Sequence, residues 1–216
     1  MARLRVGVLI SGRGSNLQAL IAAAAQPGYP AEIALVISSQ GDAPGLAHAR
    51  AAGIPFQVIN HRAFNAKQGF EASMDATLRG AHIELVCLAG FMRILTPWFV
   101  DRWRDRLINI HPSLLPSFKG LDTHARVLAA GVRFSGCTVH FVRAETDDGP
   151  ILVQAAVPVR LDDTPDSLAA RVLAMEHTSY PLAVRLIAEG RVRVRNERAE
   201  ISATITPDAM LINPAG

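Results

Sequence analysis

Val6-Gly7-Val8-Leu9-Ile10-Ser11-Gly12-Arg13-Gly14-Ser15-Asn16, with the alanine- and leucine-rich run Leu17 to Ala25 behind it, is the stretch that decides the fold. Val6 to Ile10 is apolar on both faces, as in a buried parallel strand. The run after Asn16 reads as a helix, and Ser11 to Asn16 as the glycine-rich turn joining the two. A strand, a tight turn and a helix bring free backbone N–H groups and the positive end of the helix dipole to one point, which suits an anion. Gly12 and Gly14 permit close backbone approach, and Ser15 and Asn16 add side-chain donors. The same residues also read as a plain strand–helix turn, because a lone glycine pattern has low specificity.

The turn narrows the choice of anion. A P-loop needs Gly-Lys-Ser/Thr at its end, and no Lys is present here. The dinucleotide fingerprint wants a third glycine where Leu17 stands and an acid after the second strand, where Ile37-Ser38-Ser39-Gln40 has none. A single phosphate monoester fits better than either.

Outward from the turn, strands and helices alternate. Strands are expected over Glu32–Ser38, Phe56–Ile59, Leu85–Ala89 and Leu107–Ile110, and helices over Gly45–Ala52, Phe70–Arg79 and Pro97–Trp103. That alternation implies a mostly parallel sheet covered on both faces. The second half changes character. After a helix at Thr123–Ala130, Gly136–Val142 and Ile151–Val159 lie close together and predict an antiparallel edge. Thr164-Pro165 opens a long helix to about Glu189, with Thr164 as N-cap and Pro at N1. The tail from Arg191 to Ile205 alternates like a small hairpin. The expected architecture is therefore α/β, a Rossmann-like three-layer sandwich with a mostly parallel central sheet and an antiparallel edge in the C-terminal half. One domain over residues 1–216 is the simplest organisation, with a half at about 1–100 that holds the phosphate-suited turn and a second half at about 101–205.

Composition bounds the function. The chain has 216 residues, half of them hydrophobic and 19% charged, enough for a sizeable core. Its 22 Lys plus Arg against 19 Asp plus Glu leave +3, too little for a nucleic-acid coat but compatible with one anionic substrate. The apolar run at the N-terminus is about six residues, too short for a signal peptide. Nothing approaches the ~20 apolar residues of a membrane span. A cytoplasmic location is the default. Cys87 and Cys137 form no CxxC site or disulfide framework.

The chemistry concentrates at Leu107-Ile108-Asn109-Ile110-His111-Pro112. Asn109 and His111 are two apart on a strand, so both project to one face near its carboxyl end, where open α/β sheets bind ligands. An amide donor beside an imidazole can stabilise an oxyanion and move a proton. A carboxylate would orient the ring, and Thr146-Asp147-Asp148-Gly149-Pro150 offers two. Those residues are also ordinary turn formers, so position alone does not choose.

Together, Ile10-Ser11-Gly12-Arg13-Gly14-Ser15-Asn16-Leu17-Gln18-Ala19, Leu88-Ala89-Gly90-Phe91-Met92-Arg93-Ile94-Leu95 and Leu107-Ile108-Asn109-Ile110-His111-Pro112-Ser113-Leu114-Leu115-Pro116 resemble the phosphoribosylglycinamide formyltransferase family. So does Val139-His140-Phe141-Val142 followed by Asp147-x-Gly149-Pro150. The likeness runs in order from about residue 4 to 190. It implies a 10-formyltetrahydrofolate co-substrate, a glycinamide ribonucleotide acceptor, and a place in de novo purine biosynthesis. It implies catalysis by Asn109, His111 and Asp147, with Gly149-Pro150 favouring Asp147 over Asp148. It places the acceptor's phosphate on Gly14, Ser15 and Asn16, and a further acceptor contact on Glu176. The folate would lie along Met92, Arg93, Ile94 and Leu95, with Lys67 and Asn109 near it. The implied reaction is direct attack of the amine on the formyl carbon through a tetrahedral intermediate, without metal. Asp147 would hold His111 charged, and His111 would serve as acid towards the leaving nitrogen.

The chain departs from that pattern where Asp122 replaces a common His, Asp148 a common Gly, and Lys67 a common Arg; the last keeps charge but loses the planar fork. The rival readings are a formyltetrahydrofolate hydrolase and a non-catalytic phosphate-binding module. Cys137, His111, His124 and His140 match no compact zinc motif. The expected partners are small molecules, with no nucleic acid and no membrane, acting on a monomer or weak homodimer.

Overall fold

The computed structural model describes residues 2–202. Seven strands form one sheet in the order β3-β2-β1-β4-β5-β6-β7. They are β1 (Leu4–Ile10), β2 (Ala31–Ser38), β3 (Phe56–Val58), β4 (Leu85–Leu88), β5 (Leu107–His111), β6 (Phe134–Phe141) and β7 (Ile151–Pro158). The first five run parallel; β6 is antiparallel to both β5 and β7. The chain winds from β1 outwards to β3, then returns past β1 to β4. Carboxyl ends of β1 and β4 thus flank the point where strand order reverses, the place where such sheets leave a crevice.

Strand alternation divides the core into two layers. On one face Val6, Val8, Ile10, Cys87, Ile108 and Ile110 pack under α1 (Ser15–Ala24), α2 (Leu46–Ala51), α5 (Thr123–Ala129) and α6 (Pro165–Ala188). On the other, Leu9, Val86, Leu88 and Leu107 pack under α3 (Lys67–Gly80) and α4 (Pro97–Arg102). The expected three-layer sandwich and antiparallel edge are what the molecule has. Both cysteines are free and buried.

Local chemistry sets the element ends. Thr164 caps α6 by accepting from Ser167 N, Ser167 reciprocates, and Pro165 fills the first turn. Gly53 closes α2 at φ +66°, with its N–H on Arg50 O and Ile54 N on Ala49 O. α1 starts two residues earlier than the apolar pattern suggests, because Gly14 at φ +75° already offers its carbonyl to Gln18 N. A 3-10 turn at His61–Ala63, capped by Asn60, has no apolar period to announce it. The Arg-rich tail forms a separate hairpin of β8 (Val192–Arg195) and β9 (Arg198–Ile201). Residues 203–205 of the expected tail lie outside the described residues.

Candidate active site

The glycine turn, the segment after β4 and the end of β5 lie on three adjacent strands at the same edge of the sheet. A cleft of about 300 Å3 is lined by Ser11 to Asn16 together with Ala89, Gly90 and Met92. Arg13 is the only charged side chain in that lining. Gly14 is required by packing as much as by any ligand: a Cβ there would come within 2.7 Å of Gly45 Cα. Ser11 Oγ accepts from Met92 N at 3.0 Å, which ties the turn to the segment after β4.

Asn16 is almost fully buried, and its Nδ2 donates to Glu176 Oε2 at 2.7 Å, a contact across 160 residues between α1 and α6. Asn16 Oδ1 is buried with no hydrogen-bond partner among the described residues. Glu176 is only 7% exposed, whereas a solvated face is the usual reading for a helical Glu. Burial pushes its carboxyl up from the ordinary value, opposed by the Asn16 hydrogen bond and the charge of His111.

Asn109 and His111 alternate with Ile108 and Ile110, which belong to the core under α1 and α6. His111 is buried; its Nδ1 lies 3.3 Å from Asp147 Oδ2 and its Nε2 3.0 Å from Phe118 O. Both ring nitrogens face acceptors, so the doubly protonated ring satisfies both contacts at once. Asp147 Oδ2 also accepts from Gly120 N at 2.9 Å. Asp148 instead pairs with Lys119 at the surface.

His140 faces Asn109 across the antiparallel β5–β6 ladder. Its Nδ1 lies 2.9 Å from Phe141 O, so Nδ1 carries the proton and Nε2 is free to accept from Asn109 Nδ2 at 3.4 Å. Burial holds the His140 imidazole below its ordinary value, against the opposing Phe141 and Asp147 contributions. The 3.8 Å approach of Asp147 Oδ1 to His140 Nε2 is therefore no ion pair. His124, on α5, is likewise pushed down by burial and then by the charge of His111.

The structure thus brings Asn109, His111 and Asp147 together, and joins Asn16 to Glu176. Met92 and Ile94 stand 68% and 71% exposed while Leu95 turns into the core, so this segment offers an apolar rim rather than plain packing. Arg93 is exposed beside them. Lys67 is exposed at the start of α3, and no described contact ties it to the His111 group. Asp122 occupies the left-handed N-cap of α5 without a side-chain cap bond. Sequence reasoning missed Arg13, the Phe118 carbonyl, the Gly120 N–H and the His140–Asn109 contact. Only Arg13 had a visible signal, its place inside the glycine turn. A wider groove of about 730 Å3 between α1 and α6 holds none of the three catalytic candidates. Among the described residues no group of three or more His, Cys, Asp or Glu could hold a metal ion, and no helix is long and apolar enough to cross a membrane.

A glycine-rich turn at the switch point, with an amide, an imidazole and a carboxylate on the neighbouring strand and loop, is an arrangement that group transfer on an open α/β sheet can use. Residues 4–184 match the formyl transferase family model. The chain is 41% identical to phosphoribosylglycinamide formyltransferase of Escherichia coli (strain K12), over 94% of this chain and 96% of that one. It is 50% identical over 89% of its length to the trifunctional purine biosynthetic protein adenosine-3 of Gallus gallus, of which it spans 19%. The crystal structure of glycinamide ribonucleotide transformylase 1 from Symbiobacterium toebii superposes with a TM-score of 0.90 at 45% identity, covering 92% of this chain and 94% of that one. The chain belongs to the formyl transferase family and, within it, to the phosphoribosylglycinamide formyltransferases.

Proposed function

We propose that this chain transfers the formyl group of 10-formyltetrahydrofolate to the amine of glycinamide ribonucleotide, in de novo purine biosynthesis, by direct attack. The observation that carries the reading is the convergence of Asn109, His111 and Asp147 at the carboxyl end of β5, one strand over from the β1–β4 switch point. The amine attacks the formyl carbon, and the carbonyl oxygen gains charge. Asn109 and the protonated His111 donate to that oxygen; one such donor is typically worth roughly 3–4 kcal/mol of barrier. As the intermediate collapses, the bond from the formyl carbon to the folate nitrogen breaks, His111 gives its proton to that departing nitrogen, and the imidazole then takes the surplus proton of the attacking amine; Asp147 orients the ring and offers a counter-charge. His111 Nε2 must leave Phe118 O to do so.

The acceptor phosphate sits on the N–H groups of Gly14, Ser15 and Asn16, with Arg13 as its counter-charge. Glu176 and Asn16 Oδ1 receive hydrogen-bond donors of the same acceptor. The folate lies on Met92, Arg93, Ile94 and Leu95, and Lys67 lies at the far end of that path. The acceptor side is not confined to residues 1–100, since Glu176 comes from α6. The protein works in the cytoplasm as one domain, a monomer or weak homodimer, with no metal, nucleic acid or membrane needed.

Purified protein with both substrates and a chelator, followed by folate absorbance, tests this directly. Acceptor-dependent release of tetrahydrofolate is expected. Release that ignores the acceptor would make the protein a hydrolase, and no release would leave a binding module.

A further inference from the structure

The three catalytic candidates ride on β5, which carries Asn109 and His111, and on the loop 143–149 between β6 and β7, which carries Asp147. That loop has an unusual root. Arg143, the second residue after β6, is only 8% exposed, yet it carries a guanidinium. A buried charge is tolerated only when it is paired. Arg143 is paired twice: its Nη2 lies 2.7 Å from Asp105 Oδ1, and its Nε lies 2.5 Å from Glu197 Oε2. Its Nη1 also donates to its neighbour's carbonyl, Val142 O, at 3.1 Å.

Each partner comes from a different element. Asp105 precedes β5, the strand that carries Asn109 and His111. Glu197 sits in the turn between β8 and β9 and also pairs with Arg104. Asp105 and Glu197 both have positive φ, as does Asn196 before Glu197, so the backbone is bent where these two carboxylates are presented. The far end of the loop closes on the same spot. Phe141 N donates to Pro150 O at 2.9 Å, and a Cβ on Gly149 would meet Phe141 O at 1.7 Å and Arg143 Cγ at 3.3 Å. Four residues beyond Arg143, Asp147 is itself at φ +53°, with its carboxylate on His111. A bent loop holds such a residue only if both its ends are fixed.

We infer that Arg143 is a positioning residue: clamped between Asp105 and Glu197, it fixes the root of the loop that presents Asp147 to His111, and so gives the β8–β9 hairpin a part in catalysis. The inference rests on the proposed formyl transfer.

The test uses the full chain and steady-state kinetics with both substrates. Arg143→Met should lower kcat about 10–100-fold, the loss expected of a slight misplacement of a catalytic group, with each KM within about twofold. In an Asp147→Asn background the same substitution should cost almost nothing further, because both changes act on one contact. A merely structural Arg143 gives losses that multiply, or a fall in melting temperature with kcat intact, and either result overturns the inference. Should Arg143→Met fail to fold, Glu197→Gln at the exposed end of the clamp carries the same comparison, with a smaller loss of kcat that again vanishes beside Asp147→Asn. An inactive wild-type chain would instead defeat the formyl-transfer reading itself.

Discussion

The parallel half of the sheet and its antiparallel half build their shares of the site in different ways. At the carboxyl ends of β1 and β4 the polar groups come from residues close in sequence, Ser11 to Asn16, where a glycine-rich turn meets the start of a helix. At β5 and β6 nothing works alone: Asn109 meets His140 only through cross-strand register, and His111 meets Asp147 only because a loop folds back after β6. A site of this kind follows from a local turn and the residues within it. A side-chain site needs non-local pairing and depends on each member.

The contrast predicts where substitutions hurt most. His111→Ala removes the proposed donor and the proposed acid together, and should lower kcat about 10³–10⁴-fold with substrate binding retained, as read by single-turnover folate absorbance. A loss confined to KM would place His111 in binding alone. Asn109→Ala should lower kcat about 10²–10³-fold, the usual effect of deleting one oxyanion donor. His140→Phe, which takes away the partner of Asn109 but keeps the ring, should reproduce part of that loss.

On the parallel side the effect should be smaller and of another kind. Arg13→Ala should raise KM for glycinamide ribonucleotide about 10-fold at low salt with kcat unchanged, an effect that shrinks as salt screens the exposed charge. An acceptor lacking the phosphate should not notice the substitution. A kcat loss instead would erase the distinction between the halves.

The smallest effect concerns stability. Burial raises the carboxyl of Glu176, so the folded state disfavours its ionised form. The folded protein then holds the proton more tightly than the unfolded chain, and stability contributed at low pH is lost as pH rises through the carboxylate range. Glu176→Gln should therefore raise the melting temperature at pH 7 to 8, with the difference from wild type closing near pH 4 and below. A variant that melts lower at pH 7 would show that the hydrogen bond from Asn16 to the charged carboxylate outweighs burial.

Much of this molecule was legible before folding. The two-faced apolar run of β1, the turn after it, the cap of α6 and the alternation of strands and helices are local patterns, and local patterns are written in consecutive residues. Element ends were less legible: β6 starts at Phe134, two residues before the expected Gly136, because pairing with Pro158 extends the ladder. Glu176 was legible only through family resemblance, since one carboxylate in a helix carries no sign of whether that face is covered. Asp147 and Asp148 were equal as turn residues, and backbone curvature sends one to His111 and the other to Lys119.

The sequence by itself therefore determined the doubly wound sheet, the glycine-rich turn between its first strand and helix, and the placing of Asn109 with His111 on one strand face, because each depends on spacing along the chain. Only the tertiary structure decided that Asn16 meets Glu176, that His140 holds Asn109 and that Arg143 anchors the Asp147 loop. Those contacts join residues 160, 31 and 38 positions apart (the last being the Arg143–Asp105 pair). At such separations the register of strands and the burial of helices fix the neighbours, and neither is encoded in any one stretch of sequence.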